Sequence, residues 1–367
     1  MKTDQELIYE IGISLLPGVG SINSKNLVAY CGGAEGVFKQ KQKQLEKIDG
    51  IGVKLAKMIA NHQVLSQAEE ELKFIRKENI QTLFFNDAAY PYRLKQAIDS
   101  PTMIYYKGVD VLNYDRILAI VGTRNITERG KEITDAIVEK LKDSGVMVIS
   151  GLAYGVDTRA HKACVKHKIP TVGVVAHGLH TIYPSINKSL SNEMQIQGGI
   201  ISEFNSGTKP DAFNFPQRNR IIAGMADATL VIESGKKGGS LITADIANSY
   251  SRDVYAVPGR PTDTYSRGCN FLIKTNRAAL VENADDLLYQ LSWDTKEKPS
   301  AIQHQLFLDL KPEEQKIVDI LEKSSNTAID VLMKDSGLPS SKLAASLLSL
   351  EFAGVIKCLP GKVYQLL

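Results

Sequence analysis

With 367 residues, 43% of them apolar and 23% charged, the chain is long enough for two or three hydrophobic cores and too apolar for wholesale disorder. A net charge of +3 excludes a uniformly basic coat, so any site for a polyanion must be a local patch. No run of about 18 apolar residues occurs and no basic-then-apolar leader opens the chain, which predicts a cytoplasmic protein with no membrane segment.

An internal echo marks the first region, residues 1–80. Leu16-Pro17-Gly18-Val19-Gly20 recurs as Ile48-Asp49-Gly50-Ile51-Gly52, with Lys25 and Lys57 at matching offsets. An apolar-x-Gly-apolar-Gly turn between helical patterns predicts a helical, helix-hairpin-helix (SAM-like) domain, whose turn N–H groups can hold a DNA phosphate. The alternative is an αα-hairpin turn with no ligand.

From residue 81 to 291 strands and helices alternate. Short apolar runs at Ile117–Val121, Val146–Ile149, Thr171–Ala176, Gly199–Ser202, Ala228–Ile232 and Val254–Val257 predict buried parallel strands. Amphipathic helices are expected from about Glu128 to Lys142 and through His161. The pattern is α/β, an extended Rossmann-like doubly wound parallel sheet. Residues 292–305 are polar and irregular and read as a linker. Residues 306–367 predict three helices, at Lys311–Glu322, Ala328–Lys334 and Ser340–Glu351, then a hairpin around Pro360-Gly361, which is a winged-helix pattern. From Asp309 onward there are seven Lys and Arg against eight Asp and Glu, a net −1. A DNA-reading winged helix usually presents a basic face, so a protein contact is an equal reading for this region.

Ligands of a doubly wound sheet bind beyond the carboxyl ends of its strands. The loops Gly122–Asn125, Ser150–Asp157, Tyr183–Lys188 and Ser234–Thr243 meet that requirement, each coupling small residues to a helix start. Arg124 and Lys188 add charge. Phe215-Pro216-Gln217-Arg218-Asn219-Arg220 adds two guanidinium forks and an amide, expected at a helix N-terminus that favours anions. One of these arginines is expected to face DNA and the other to pair with Glu203, Glu233 or Asp227. The candidate DNA contacts are Gly122, Thr123, Arg124, Ser150, Gly151, Gly155, Lys188, Arg218, Asn219, Arg220, Gly239 and Ser240.

Rival chemistry fits the residues less well. Gly-x-Gly-x-x-Gly is missing after the first parallel strand, and the Ser234–Ser240 loop lacks the Gly-Lys-Ser/Thr ending of a nucleotide-binding P-loop. His161 has no Cys-x-x-Cys downstream to build a zinc site. Cys31, Cys164, Cys269 and Cys358 are far apart and read as reduced thiols. No nucleophile–base–orienter set is evident, so no catalytic residue, cofactor or metal is assigned.

Five motifs together resemble the DNA-processing protein DprA (Smf) family. They are Ala119–Arg124, Ser150–Asp157 with Ala160-His161, Phe215–Gly224, Gly238–Ala244 and Val254–Gly259. Tyr90-Pro91 with Tyr105–Gly108 resembles the family's lead-in to the sheet. The resemblance implies a single-stranded DNA-binding, non-catalytic mediator that protects incoming DNA and loads RecA recombinase during natural transformation. It implies a homodimer, and single-stranded DNA-binding protein is a further expected partner. By the same resemblance Arg124, Lys188 and the Arg218-Asn219-Arg220 cluster sit where family members contact phosphates. Thr123 stands where many members have serine, which keeps the hydroxyl. Phosphoribohydrolase-like enzymes share a related fold, but Gly238–Ala244 lacks the proline and glutamate their motif requires.

Overall fold

The computed structural model describes residues 2–293, 310–324 and 326–366. It divides into two compact units, Met1–Ser292 and Trp293–Leu367. Most of the expected linker, residues 294–305, lies outside the described residues.

Six helices open the first unit: Asp4–Leu15, Ser21–Tyr30, Ala34–Lys39, Gln42–Leu45, Val53–Ala60 and Val64–Lys77. A capping box starts the first, with Glu6 N–H donating to Thr3 Oγ1 (3.2 Å) and Thr3 N–H to Glu6 Oε2 (2.7 Å), satisfying two donors that a helix start leaves free. The echoed turns are geometrically alike: Gly18 and Gly50 have φ of 71° and 78°, and Gly20 and Gly52 cap the next helix at −76° and −75°. Ile11, Leu27, Leu45 and Ile59 form a core that continues into Phe84, Met103 and Tyr105 of the sheet.

That sheet has nine strands: β1 (Gln81–Phe84), β2 (Met103–Gly108), β3 (Arg116–Val121), β4 (Val146–Ser150), β5 (Thr171–Val174), β6 (Gly199–Ser202), β7 (Ala228–Val231), β8 (Asp253–Ala256) and β9 (Ala279–Leu280). Their order is β1-β2-β6-β5-β4-β3-β7-β8-β9. From β6 to β9 the pairing is parallel, whereas β2 runs antiparallel to both β1 and β6. The aliphatic runs of β3 to β8 are buried on both faces, as a helix-covered parallel sheet requires. The chain winds outward from β3 through β4 and β5 to β6, then returns to β7 beside β3 and winds the other way. The winding therefore reverses between β3 and β7.

Within the second unit, helices Pro312–Lys323, Ile329–Ser336 and Ser340–Phe352 pack Ile317, Leu321, Leu332, Leu343 and Leu347 against a three-stranded sheet. Its strands β10 (Thr327–Ala328), β11 (Ile356–Leu359) and β12 (Val363–Leu366) lie in the order β10-β12-β11, giving the winged-helix form. Ser340 is the first residue of its helix, and Pro339 occupies the cap position. Among the described residues no helix is long and apolar enough to cross a membrane.

Candidate nucleic-acid interface

Where winding reverses, the loops leaving two neighbouring strands diverge and open a crevice at their carboxyl ends. Here the crevice encloses about 350 Å³. It is lined by Gly122, Thr123, Arg124 and Asn125 after β3, by Lys237, Gly239 and Ser240 after β7, and by Phe215, Arg218 and Asn219. The two loops are fastened to each other, since Thr123 N–H donates to the Glu233 carbonyl (2.8 Å). Asn125 N–H donates to Thr123 Oγ1 (3.1 Å), and Ser240 Oγ to Ser234 Oγ (2.9 Å).

The helix carrying the arginines runs from Asn214 to Met225. It starts earlier than the sequence suggests because Asp211 initiates the turn, its Oδ1 accepting from Phe213 N–H (2.8 Å). Pro216 falls in the first turn, where a missing N–H costs nothing. The arginines therefore leave the side of the helix rather than its N-terminus. Two residues apart on a helix is about 200°, and they go to opposite sides.

Arg218 reaches under the sheet edge. It is 4% exposed and its Nη1 donates to the Val174 carbonyl (2.9 Å), while its Nε has no acceptor among the described residues. A Cβ on Gly151 would collide with Arg218 Nη1 and stand 2.6 Å from Asp157 Oδ2. Glycine at 151 is thus what admits the guanidinium. Burial pulls Arg218 down to about 10, opposed by attraction to Asp157, so it stays cationic at neutral pH. Burial also raises the Asp157 carboxyl, with Arg218 opposing. Arg124 is exposed, its guanidinium 5.1 Å from the centre of the Phe215 ring, and Arg218 approaches the same ring at 5.9 Å.

Arg220 takes the other side. It pairs with Glu203 and donates to the Asp99 carbonyl, so the carboxylate partner expected for one of the two arginines is Glu203. Glu233 is not available for that role. Its carboxylate accepts from Thr127 N–H (2.9 Å) and Thr127 Oγ1 (2.5 Å) at the start of the Glu128–Lys140 helix. Arg220 lines a separate groove of about 880 Å³ that includes Gly20 to Ser24 of the first hairpin turn. Beside that turn Lys25 donates to Ser100 Oγ (2.6 Å) and the Ile98 carbonyl (3.2 Å); burial, with Arg220 nearby, pushes it down to about 8. Lys57, its counterpart in the second copy, is exposed.

The structure brings Gly122, Thr123, Arg124, Arg218, Asn219, Gly239 and Ser240 into one crevice wall. Ser150, Gly151 and Gly155 do not line it but pack behind the residues that do. Ser150 Oγ donates to the Ile120 carbonyl (2.6 Å), and Gly155, at φ 80°, lies against the Thr123 and Arg124 backbone where a side chain would clash. Lys188 is exposed at the first turn of the Lys188–Gln197 helix and is not part of the wall; Arg220 is on the far side of its helix. His161, on the Val156–His167 helix, is fully buried. Thr171 Oγ1 donates to the Val148 carbonyl (3.0 Å) and so accepts from His161 Nδ1 (2.7 Å), leaving Nε2 unprotonated and without a partner among the described residues.

Sequence reading missed the aromatic rim. Tyr154 and Tyr183 are 49% and 46% exposed; both flank Arg124 and Phe215 in a small adjoining cavity, and the Tyr183 ring lies 6.4 Å from that of Phe215. The signal was Tyr154 within the Gly151–Gly155 loop and Tyr183 at the start of the Tyr183–Lys188 loop, aromatics that suit stacked bases. Among the described residues no cluster of three metal-ligating side chains occurs.

Fold and crevice together define an extended Rossmann-like α/β protein with a cationic site at its switch point and an appended winged helix. Residues 81–292 match the family described as DNA recombination-mediator protein A, and residues 290–362 the DprA winged helix domain. Protein Smf of Synechocystis is 31% identical over 396 residues, covering 99% of each chain. Among solved structures, DNA processing protein A from Streptococcus pneumoniae aligns with a TM-score of 0.68 at 28% identity, covering 79% of this chain and 99% of that one. A structure describing the single-stranded DNA binding mode of DNA processing protein A from Helicobacter pylori aligns at 0.53 and 26%, covering 58% and 95%. The chain belongs to the DprA/Smf family.

Proposed function

We propose that the crevice binds the phosphodiester backbone of single-stranded DNA, and that the protein is a non-catalytic, cytoplasmic recombination mediator. The observation that carries the reading is Arg218, a buried cation with an uncommitted N–H in the crevice wall. Exposed Arg124 stands at the mouth, and Tyr154 and Tyr183 offer ring faces beside it. Buried guanidinium suits a phosphate, and exposed rings suit unpaired bases, which a duplex keeps stacked internally. The Helicobacter pylori relative, described with single-stranded DNA, supports the same substrate class. The carboxylates nearest the crevice are committed to Thr127 and to the Ala153 N–H beside Arg218, which favours binding over acid–base chemistry.

By family resemblance the protein works as a homodimer, protects incoming strands and loads RecA recombinase during natural transformation, alongside single-stranded DNA-binding protein. Residues 1–80, 81–291 and 306–367 are proposed as its helical, DNA-binding and winged-helix domains, with 292–305 as linker. The test is a salt titration of oligonucleotide binding joined to a recombinase-filament assay on strands coated with single-stranded DNA-binding protein. About six phosphate contacts give a log–log salt slope near −4 for single strands. A slope near zero, or tighter binding of duplex, would reject the crevice. Filament formation unchanged by the protein would reject the loading role alone.

A further inference from the structure

The carboxyl edge of the sheet continues past the crevice. We infer that the strand's track runs on across the loop after β8 to a second phosphate subsite between Arg129 and Arg260. This rests on reading the crevice as a single-strand site.

The loop is built onto the crevice wall. Ser234 N–H donates to the Tyr265 carbonyl (2.6 Å) and Gly268 N–H to the Ser234 carbonyl (2.8 Å), and Ser234 and Tyr265 both line the crevice. At its other end the loop is held to the Glu128–Lys140 helix, where Arg129 Nη2 donates to the Pro258 carbonyl (3.0 Å). Between these ties lies an open notch of about 620 Å³ lined by Arg129, Pro258, Gly259, Arg260 and Asp263. A Cβ on Gly259 would collide with Ser266 Oγ and stand 3.0 Å from Arg129 Nη1, so glycine lets Ser266 and that guanidinium lie close against the backbone.

Both arginines are exposed and, among the described residues, carry no ion pair. Among the described residues arginine forms ion pairs at Arg76, Arg93, Arg159, Arg220 and Arg277. Glu128, adjacent to Arg129, is taken by Lys131 at 2.6 Å. Asp263 is the one acid in the notch wall, so two guanidinium groups face one carboxylate and the balance is cationic. A lone exposed arginine is ordinarily just solvated. Two forks flanking one notch, on a loop bonded to the crevice wall, match successive phosphates of a strand leaving that crevice.

The test compares wild type with the Arg129→Gln/Arg260→Gln variant, on a short oligothymidine that fills only the crevice and a long one that reaches the notch. Glutamine at 129 keeps a donor for the Pro258 carbonyl; Arg260→Gln alone serves as the second variant if the pair lowers the melting temperature. The expected result is unchanged binding of the short strand, with binding of the long strand weakened several-fold and its salt slope shallower by about 1.4 for two lost contacts. Long-strand binding with the wild-type slope, or equal weakening for both lengths, would overturn the extension. Failure of wild type to bind either strand would instead remove the crevice reading beneath it.

Discussion

Apart from Arg220, which Glu203 holds at the end of β6, the two edges of the central sheet treat arginine in opposite ways. At the amino ends of the parallel strands, Arg93 is clamped by Asp227 (Nε, 2.6 Å) and by the carbonyls of Tyr114 (2.8 Å) and Asp115 (2.6 Å). Asp227 in turn accepts from Ile117 N–H (2.8 Å), so the pair stitches β3 to the start of β7. At the carboxyl ends, Arg124, Arg129, Arg260 and Arg267 are exposed, and none forms an ion pair among the described residues. Arginine is the same cation at both edges; what differs is whether the fold supplies an acceptor. Where it does, the residue serves stability. Where it does not, the donors remain for a ligand.

The largest test of that contrast is Asp227→Ala. It leaves Arg93 buried and charged without its partner, and Ile117 N–H without its acceptor. Breaking a buried pair from one side costs about 3–5 kcal/mol, which urea denaturation would show as a shifted midpoint. A loss under about 1 kcal/mol would mean the amino-edge pair is no more than a surface contact. Arg220→Ala belongs to the same class. Its pair with Glu203 is somewhat more exposed, at 12% and 13% against 3% and 7%, so its cost should be smaller.

A second test concerns His161, whose charge is set by burial, with nearby Arg218 adding to the effect. Burial pushes it from 6.5 down to about 3. Above pH 6.5 both folded and unfolded chains hold it neutral; below, only the unfolded chain takes the proton. Stability is therefore lost as pH falls from 6.5 toward 3, by about 1.4 kcal/mol per unit. Between pH 7 and pH 5 the histidine's share is about 2 kcal/mol. Buried Asp157 and Glu203, with raised carboxyls, act in the opposite direction at lower pH. The difference between wild type and His161→Gln isolates the histidine, and parallel pH curves for the two would refute its burial as a neutral side chain.

How far the sequence carried this picture depended on what each residue's partner was. The strands β3 to β8 were legible within two residues, because each is built around a short apolar run with a loop behind it. β1 and β2 were not: Gln81–Phe84 has only a short apolar end and pairs with β2, and Met103–Gly108, though apolar at its start, runs antiparallel to β6 and so breaks the alternating parallel pattern. For Arg218-Asn219-Arg220, the sequence led to one arginine facing DNA and the other pairing with a carboxylate, but set the cluster at a helix start rather than along the helix side. Which one meets a carboxylate did not follow, because Glu203 comes from β6's end and reaches Arg220 only through the tertiary fold. The two hairpin turns make the same point. Their sequences and φ values agree, yet Lys25 is locked to Ser100 while Lys57 faces solvent, a difference created by what packs against each copy.

The smallest effect on stability, and the one that separates the edges most cleanly, belongs to Arg124→Ala. Its guanidinium rests over Phe215 at the mouth of the crevice and makes no ion pair among the described residues. Surface positions of this kind change stability by no more than about 0.5 kcal/mol. Loss of its charge-assisted bonds to a phosphate should still weaken single-strand binding by about 1.5–3 kcal/mol. Arg218→Ala should lower both quantities, because it removes a ligand contact and also leaves Asp157 without its neighbouring cation. Fluorescence anisotropy with single strands, beside thermal melts of the same preparations, distinguishes the two. If Arg124→Ala melts early, its edge is structural after all. If it melts normally and binds as wild type does, the exposed cations of the carboxyl edge are merely solvated and the strand lies elsewhere.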